Sequence, residues 1–155
     1  MSGLEQLYQQ IILDHSKRPH GRGLEDGEET SHQLNTTCGD EVTLALRRDA
    51  GGDRIVGVGW EGQGCSISQA SASMLAGLVE EELADRGGLG DAELTGLIDE
   101  FRSVLRSRGT LELDEERFGD AAALSGASRY VARVKCAMLP WVAAEDLLQR
   151  RAARA

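Results

Sequence analysis

The sequence predicts an α+β domain, a small antiparallel β-sheet packed against several α-helices, over residues 1–155 as a single unit. Three observations carry this reading. Two short segments, Val42–Leu46 and Ile55–Trp60, alternate apolar with polar or small residues around a turn. Stripes of apolar residues at helical spacing occupy most of the remaining chain. No internal repeat, linker or low-complexity tract divides it, and 155 residues with 41% hydrophobic content suffice for one sizeable core.

The elements follow in order. Leu4, Leu7, Tyr8, Ile11 and Ile12 form the stripe of a first helix. It should end near Arg18, because Pro19 disfavours helical geometry in the residue before it. Residues 19–40, rich in Gly, Glu, Thr and His, read as an irregular surface loop. Val42, Leu44 and Leu46 then mark a half-buried strand, Asp49-Ala-Gly-Gly-Asp53 a turn, and Ile55–Trp60 the returning strand of a hairpin. After Cys65 the period becomes helical through Ile67, Ala70, Ser71, Met74, Leu75, Leu78 and Val79, with Gly87-Gly88 as the stop. Asp91 suits the N-cap of a third helix, whose stripe is Leu94, Leu97, Ile98, Phe101, Val104 and Leu105, with Gly109 closing it. Residues 110–127 are less regular, with one short helical turn at Ala121–Leu124. A last helix is expected to start near Pro140, a residue suited to a first turn, and to run into a tail of arginines.

Composition narrows the function. With 26 acidic against 17 basic residues the net charge is −9. The chain therefore lacks the cationic footprint that neutralises phosphates, which argues against nucleic acid and anionic membrane surfaces as partners. The opening residues, Met1 to Tyr8, contain no cationic segment followed by an apolar one, and no apolar run approaches the roughly 20 residues that span a bilayer. The expected location is the cytoplasm, where thiols stay reduced. Three cysteines, an odd number, fit a disulfide framework poorly.

Each cysteine falls where a turn or an element boundary is expected. Cys38 lies in Thr36-Thr37-Cys38-Gly39-Asp40, just before a strand; Cys65 lies in Gly62-Gln63-Gly64-Cys65-Ser66, between strand and helix; Cys136 follows Arg133 and Lys135, ahead of the last helix. Backbone N–H groups at a helix start favour thiolate at Cys65 and at Cys136, and the flanking cations act on Cys136 in the same sense. Glycines beside Cys38 and Cys65 permit close approach, and Asp40 can aim its carboxylate where Cys38 points. Three thiolates and a carboxylate suit zinc or an iron–sulfur cluster better than magnesium or calcium. Without a C-x-x-C knuckle, spacing alone leaves metal binding and three unrelated cysteines as equal alternatives.

Three blocks of sequence resemble a known family. They are Ile12-Leu13-Asp14-His15 with Pro19 and then Thr37-Cys38-Gly39-Asp40; the run Gly62-Gln63-Gly64-Cys65-Ser66-Ile67-Ser68-Gln69-Ala70-Ser71-Ala72-Ser73-Met74; and Ala132-Arg133-Val134-Lys135-Cys136-Ala137 with Trp141. Together, and in this order, they look like the U-type iron–sulfur assembly proteins, specifically the SufU branch, across nearly the whole chain. Two features set it apart from the sister IscU scaffold branch: the insertion-like stretch 110–127, and Lys135 where scaffolds usually carry histidine before the third cysteine. Thr36 departs from the proline common at that position.

The resemblance implies a zinc-dependent sulfurtransferase that accepts persulfide sulfur from a pyridoxal-phosphate-dependent cysteine desulfurase of the SufS type and hands it toward downstream iron–sulfur assembly proteins. It implies Cys38, Asp40, Cys65 and Cys136 as the metal ligands, Cys38 as the thiol freed to take sulfur, and Arg133 as a support for nearby thiolates. Two alternatives stand beside it: a scaffold holding a nascent [2Fe–2S] or [4Fe–4S] cluster on the same four residues, and a purely structural zinc domain. Whether such a chain counts as an enzyme is left open by the sequence. Other conspicuous residues have plainer readings. His15 reads as a hydrogen-bonding residue and His20 and His32 as solvent-exposed. Ser66–Ser73, lacking a nucleophile elbow or phosphate-loop lysine, reads as small residues for tight helix packing. Glu80-Glu81-Glu82 reads as a solvated face, and Arg150, Arg151 and Arg154 as a fraying tail.

Overall fold

A computed structural model describes residues 3–37 and 39–154. Its elements are α1 (Gly3–Lys17), β1 (Ser31–Asn35), β2 (Asp40–Arg48), β3 (Ile55–Gln63), α2 (Ser66–Arg86), α3 (Asp91–Leu105), α4 (Glu115–Phe118), a 3₁₀ helix (Gly119–Arg129) and α5 (Val131–Arg154). The three strands form an antiparallel meander in the order β1-β2-β3. The α+β architecture expected from the sequence is the one observed.

The alternation in β2 and β3 does what it predicts. Leu44 lies opposite Trp60 and Leu46 opposite Val58, which puts Val42, Leu44, Val58 and Trp60 on one buried face. Helix α2 packs on β3, α5 covers β1 and β2, α1 lies along α2, and α3 packs on α5. At the centre the rings of Phe101 and Trp141 stack 4.1 Å apart at 10°, with Phe118 tilted beside both.

Helix α2 is buried on more than one stripe: Ser68 and every residue from Ala70 to Ala76 lie inside. Such a helix can be enclosed only if its side chains are small and its hydroxyls are bonded. Ser71 Oγ donates to the Ala137 carbonyl (2.5 Å) and accepts from Trp141 Nε1 (3.0 Å), while Ser73 Oγ accepts from the His20 amide (2.8 Å). The helix stops at Gly87 (φ 75°), whose left-handed geometry lets Gly87 and Gly88 donate back to Leu83 and Glu82.

Four sequence expectations are corrected. Strand β1 lies inside the segment read as a loop, because its inward residues are the polar Ser31 and Asn35 while Leu34 faces out, so the usual apolar alternation is absent. Helix α3 begins at Asp91 with Gly90, not Asp91, as its N-cap, and Glu93 accepts from the Gly90 amide (3.1 Å). Helix α5 begins at Val131, nine residues before Pro140, so the proline lies inside it. A proline there costs roughly 3 kcal/mol in an isolated helix, offset here by burial of Pro140, Trp141, Leu147 and Leu148 in the core. The arginine tail is clamped: Arg150 donates to the Thr30 carbonyl (2.9 Å), Arg151 to the Gly52 carbonyl (2.7 Å), and Arg154 makes two bonds to Glu29 (2.9 and 3.1 Å). Among the described residues no helix is long and apolar enough to cross a membrane.

Candidate metal centre

Three elements converge at one end of the sheet. Asp40 opens β2, Cys65 is the N-cap of α2 with extended geometry (φ −71°, ψ 165°), and Cys136 sits in the second turn of α5. One ligand atom from each, a carboxylate oxygen and two sulfurs, lies within 4.8 Å of the others. Asp40 and Cys136 are 1% and 6% exposed, whereas Cys65 is exposed. A tetrahedral site with Zn–S bonds of about 2.3 Å separates its sulfurs by roughly 3.7 Å, so a modest contraction brings these donors to ligating distance. The donor set, soft sulfur with one hard oxygen, fits zinc and also suits a cluster iron.

The carboxylate already holds the centre together. Asp40 Oδ1 accepts the backbone N–H of Cys65 at 2.8 Å, and Oδ2 accepts from the Cys65 thiol at 3.2 Å. Between them Gly64 adopts φ 138°, and any Cβ there would lie 2.6 Å from Asp40 Cγ and nearer still to Oδ1.

Cys38 falls outside the described residues. Its neighbours on both sides are in place: Asn35 pairs with Asp40 across the β1–β2 hairpin, Asn35 Oδ1 accepts from the Thr37 amide (3.1 Å), and the Asn35 carbonyl accepts from the Gly39 amide (2.8 Å).

Of the sequence-derived site residues, the structure thus brings together Asp40, Cys65 and Cys136. It places the Arg133 guanidinium on the surface, 4.6 Å from the centroid of the Tyr130 ring, one helical turn before Cys136. Cys65 stands at a helix N-terminus as expected. Cys136 does not: it is buried beyond the first turn of α5, where the N-terminal field has faded.

No histidine joins the described cluster. His15 is buried, with Nδ1 2.7 Å from Ser73 Oγ and Nε2 2.8 Å from Asp120, in keeping with a hydrogen-bonding role. His20 and His32, both exposed, pair with Glu80 (2.9 Å) and Glu41 (3.1 Å). The sequence reading missed Asn35 as the organiser of the loop ahead of Asp40. An asparagine two and four residues before polar and glycine positions is the signal that could have found it.

The chain is similar to known proteins over nearly its whole length. The family model described as the NifU-like N terminal domain matches residues 7–137. The chain is similar to the iron–sulfur cluster assembly scaffold protein IscU of Streptococcus pyogenes serotype M1, with 34% identity over 98% of this chain and 89% of the relative. It is similar at 35% identity to the zinc-dependent sulfurtransferase SufU of Bacillus subtilis (strain 168), over 93% of this chain and 90% of the relative. Among solved structures, a SUF-system assembly scaffold from Fervidobacterium islandicum AW-1 superposes with a TM-score of 0.73 at 32% identity, covering 94% of this chain and 99% of that one.

Proposed function

The chain belongs to the NifU-like N-terminal domain family, and from that premise we propose that it is a zinc-dependent sulfurtransferase serving iron–sulfur cluster assembly. It works in a compartment where thiols stay reduced, taking sulfur from a SufS-type cysteine desulfurase and passing it to downstream assembly proteins. The observation that carries the reading is the convergence of Asp40, Cys65 and Cys136 within 4.8 Å, with Cys38 two residues from Asp40 in sequence.

Cys38, Asp40, Cys65 and Cys136 would hold the zinc, which when bound would keep the thiols deprotonated and tie the starts of β2 and α2 to α5. Asp40 and Cys136 supply the buried side of the centre and Cys65 its exposed side. Cys38 is the acceptor. Its thiolate attacks the outer sulfur of the donor's persulfide; a new S–S bond forms at Cys38, the donor's S–S bond breaks, and the electron pair leaves on the donor's cysteine thiolate. Cys38 then carries the sulfane sulfur. Arg133, exposed and one turn from Cys136, would add positive charge that supports nearby thiolates.

A second reading has its own support, the 34% identity to a relative named as a scaffold: the same four residues hold a nascent [2Fe–2S] or [4Fe–4S] cluster as cargo. Lys135, which cannot ligate iron as a histidine would, favours the first reading. Metal and sulfide analysis of protein purified without oxygen separates them. About one zinc per chain without sulfide or colour supports the transferase, and persulfide on Cys38 after mixing with desulfurase and cysteine completes the case. Iron with matching labile sulfide, transferable to an apo-protein, overturns it in favour of the scaffold.

A further inference from the structure

The two oxygens of Asp40 have different partners. Oδ1 is bound to the Cys65 amide at 2.8 Å, while Oδ2 faces the Cys65 sulfur at 3.2 Å. The carboxylate is 1% exposed, so neither oxygen can turn to bulk water. Gly64 supplies the room for this. Its φ of 138° lies where side-chain-bearing residues are strained, and a Cβ would occupy the space now filled by Asp40 Cγ and Oδ1.

We propose that Gly64 is a positioning residue of the metal centre: it lets Asp40 Oδ1 lock onto the Cys65 amide, which confines Asp40 to a single ligand oxygen, Oδ2. The inference rests on the zinc reading above and deepens it. Chelation through both oxygens would require Oδ1 to give up a charge-assisted bond to a backbone N–H, and nothing in the ligand count of a four-coordinate centre requires that exchange. The arrangement also makes one carboxylate serve two tasks. Oδ1 ties the start of β2 to the start of α2, and Oδ2, 3.2 Å from the Cys65 sulfur, is the oxygen left to the metal. Without the space at position 64, Asp40 is pushed out of the centre although all four ligand side chains remain in the sequence.

Two measurements test this on the full chain. X-ray absorption of the zinc-loaded, unaltered protein should find three sulfurs and one oxygen around the metal; a second oxygen shell, making zinc five-coordinate, overturns the single-oxygen assignment. Zinc affinity, read by chelator competition, should fall at least tenfold in Gly64→Ala, in the range seen when a ligand's supporting partner is removed. In an Asp40→Ala background the same substitution keeps the backbone strain but has no carboxylate to displace, so it should lower affinity less than twofold further. Equal losses in both backgrounds, or wild-type affinity in Gly64→Ala, overturn the positioning role. Should Gly64→Ala fail to fold, the absorption measurement still decides. An unaltered protein that takes up no zinc would overturn the functional reading and this inference together; zinc bound through two carboxylate oxygens would overturn this inference alone.

Discussion

At the scale of single residues, the molecule repeatedly gives one polar group two partners. Ser71 is the clearest case, accepting from the Trp141 indole and donating to the Ala137 carbonyl inside the core. Ser71→Ala removes both and leaves a buried donor and acceptor, so unfolding free energy should drop by about 1–3 kcal/mol, measurable by urea denaturation. Asp40 divides its roles in the same way. Asp40→Asn keeps an oxygen for the Cys65 amide but gives up the ligating charge. Its metal-free melting temperature should stay within a few degrees of wild type while zinc affinity falls about 10–100-fold. Asp40→Ala should lose on both measurements. Full zinc occupancy and unchanged desulfurase activation in Asp40→Ala would remove Asp40 from the ligand set. Cys38 and Cys65 stood out in the sequence because each sits beside a glycine at the edge of an element, whereas Cys136, read as lying ahead of the last helix, sits inside it. The double duty of Ser71 and Asp40 did not stand out, because a second hydrogen bond depends on segments 66 and 25 residues away.

At the scale of elements, burial explains which predictions held. Strands β2 and β3 and helix α3 bury apolar residues at regular spacing, and their periodicity can be read directly. Strand β1 turns Ser31 and Asn35 inward, so its pairing with β2 exists only through the hairpin register and carries no apolar signal. The beginning of α5 was hidden by Pro140, a local stop signal overridden by the packing of ten buried residues along that helix. Helix α1 is the contrasting case: its one buried residue is His15, held between Ser73 and Asp120. Helix α1 should therefore open before α2 or α5, with earlier hydrogen exchange, and His15→Ala should accelerate its exchange with little effect on α5. Uniform protection of α1 and α5 in that variant would show that the imidazole is not what secures α1. Between α3 and α5, Arg102 makes two bonds to Glu145 (2.9 and 2.6 Å), with both side chains about four-fifths shielded from solvent. Arg102→Ala should cost about 1 kcal/mol.

For the whole molecule, pH acts through glutamates shifted in opposite directions. Glu28 is held below the ordinary glutamate range mainly by its hydrogen bond to Arg47, and Glu93 by the Gly90 amide and then Arg86. Their contribution is fully present above the ordinary value and is lost as pH falls through the lowered ones. Glu81 goes the other way, pushed up by burial and then by repulsion from Asp120, Asp85 and Glu82. A carboxyl raised in the folded state favours folding as pH falls through its raised value toward the ordinary one. Melting temperature should therefore gain slightly on mild acidification before it collapses, and Glu81→Gln should abolish the gain while leaving the acid collapse in place. A gain that persists in Glu81→Gln would assign it to another group. With a net charge of −9, added salt should shrink these differences, because exposed charges are screened.

The unequal burial of the donors also determines how the protein ages. Cys65 faces solvent while Cys136 lies inside the core, so peroxide reaches the former first. Metal-free protein left in air should gain mass in oxygen steps on the peptide carrying Cys65, moving from sulfenic to irreversible sulfinic acid, before the Cys136 peptide changes. A stored sample would then retain its fold and two of its three described donor groups, yet no longer reload. The fraction of intact Cys65, rather than the melting curve, is the measure of whether a preparation is still competent.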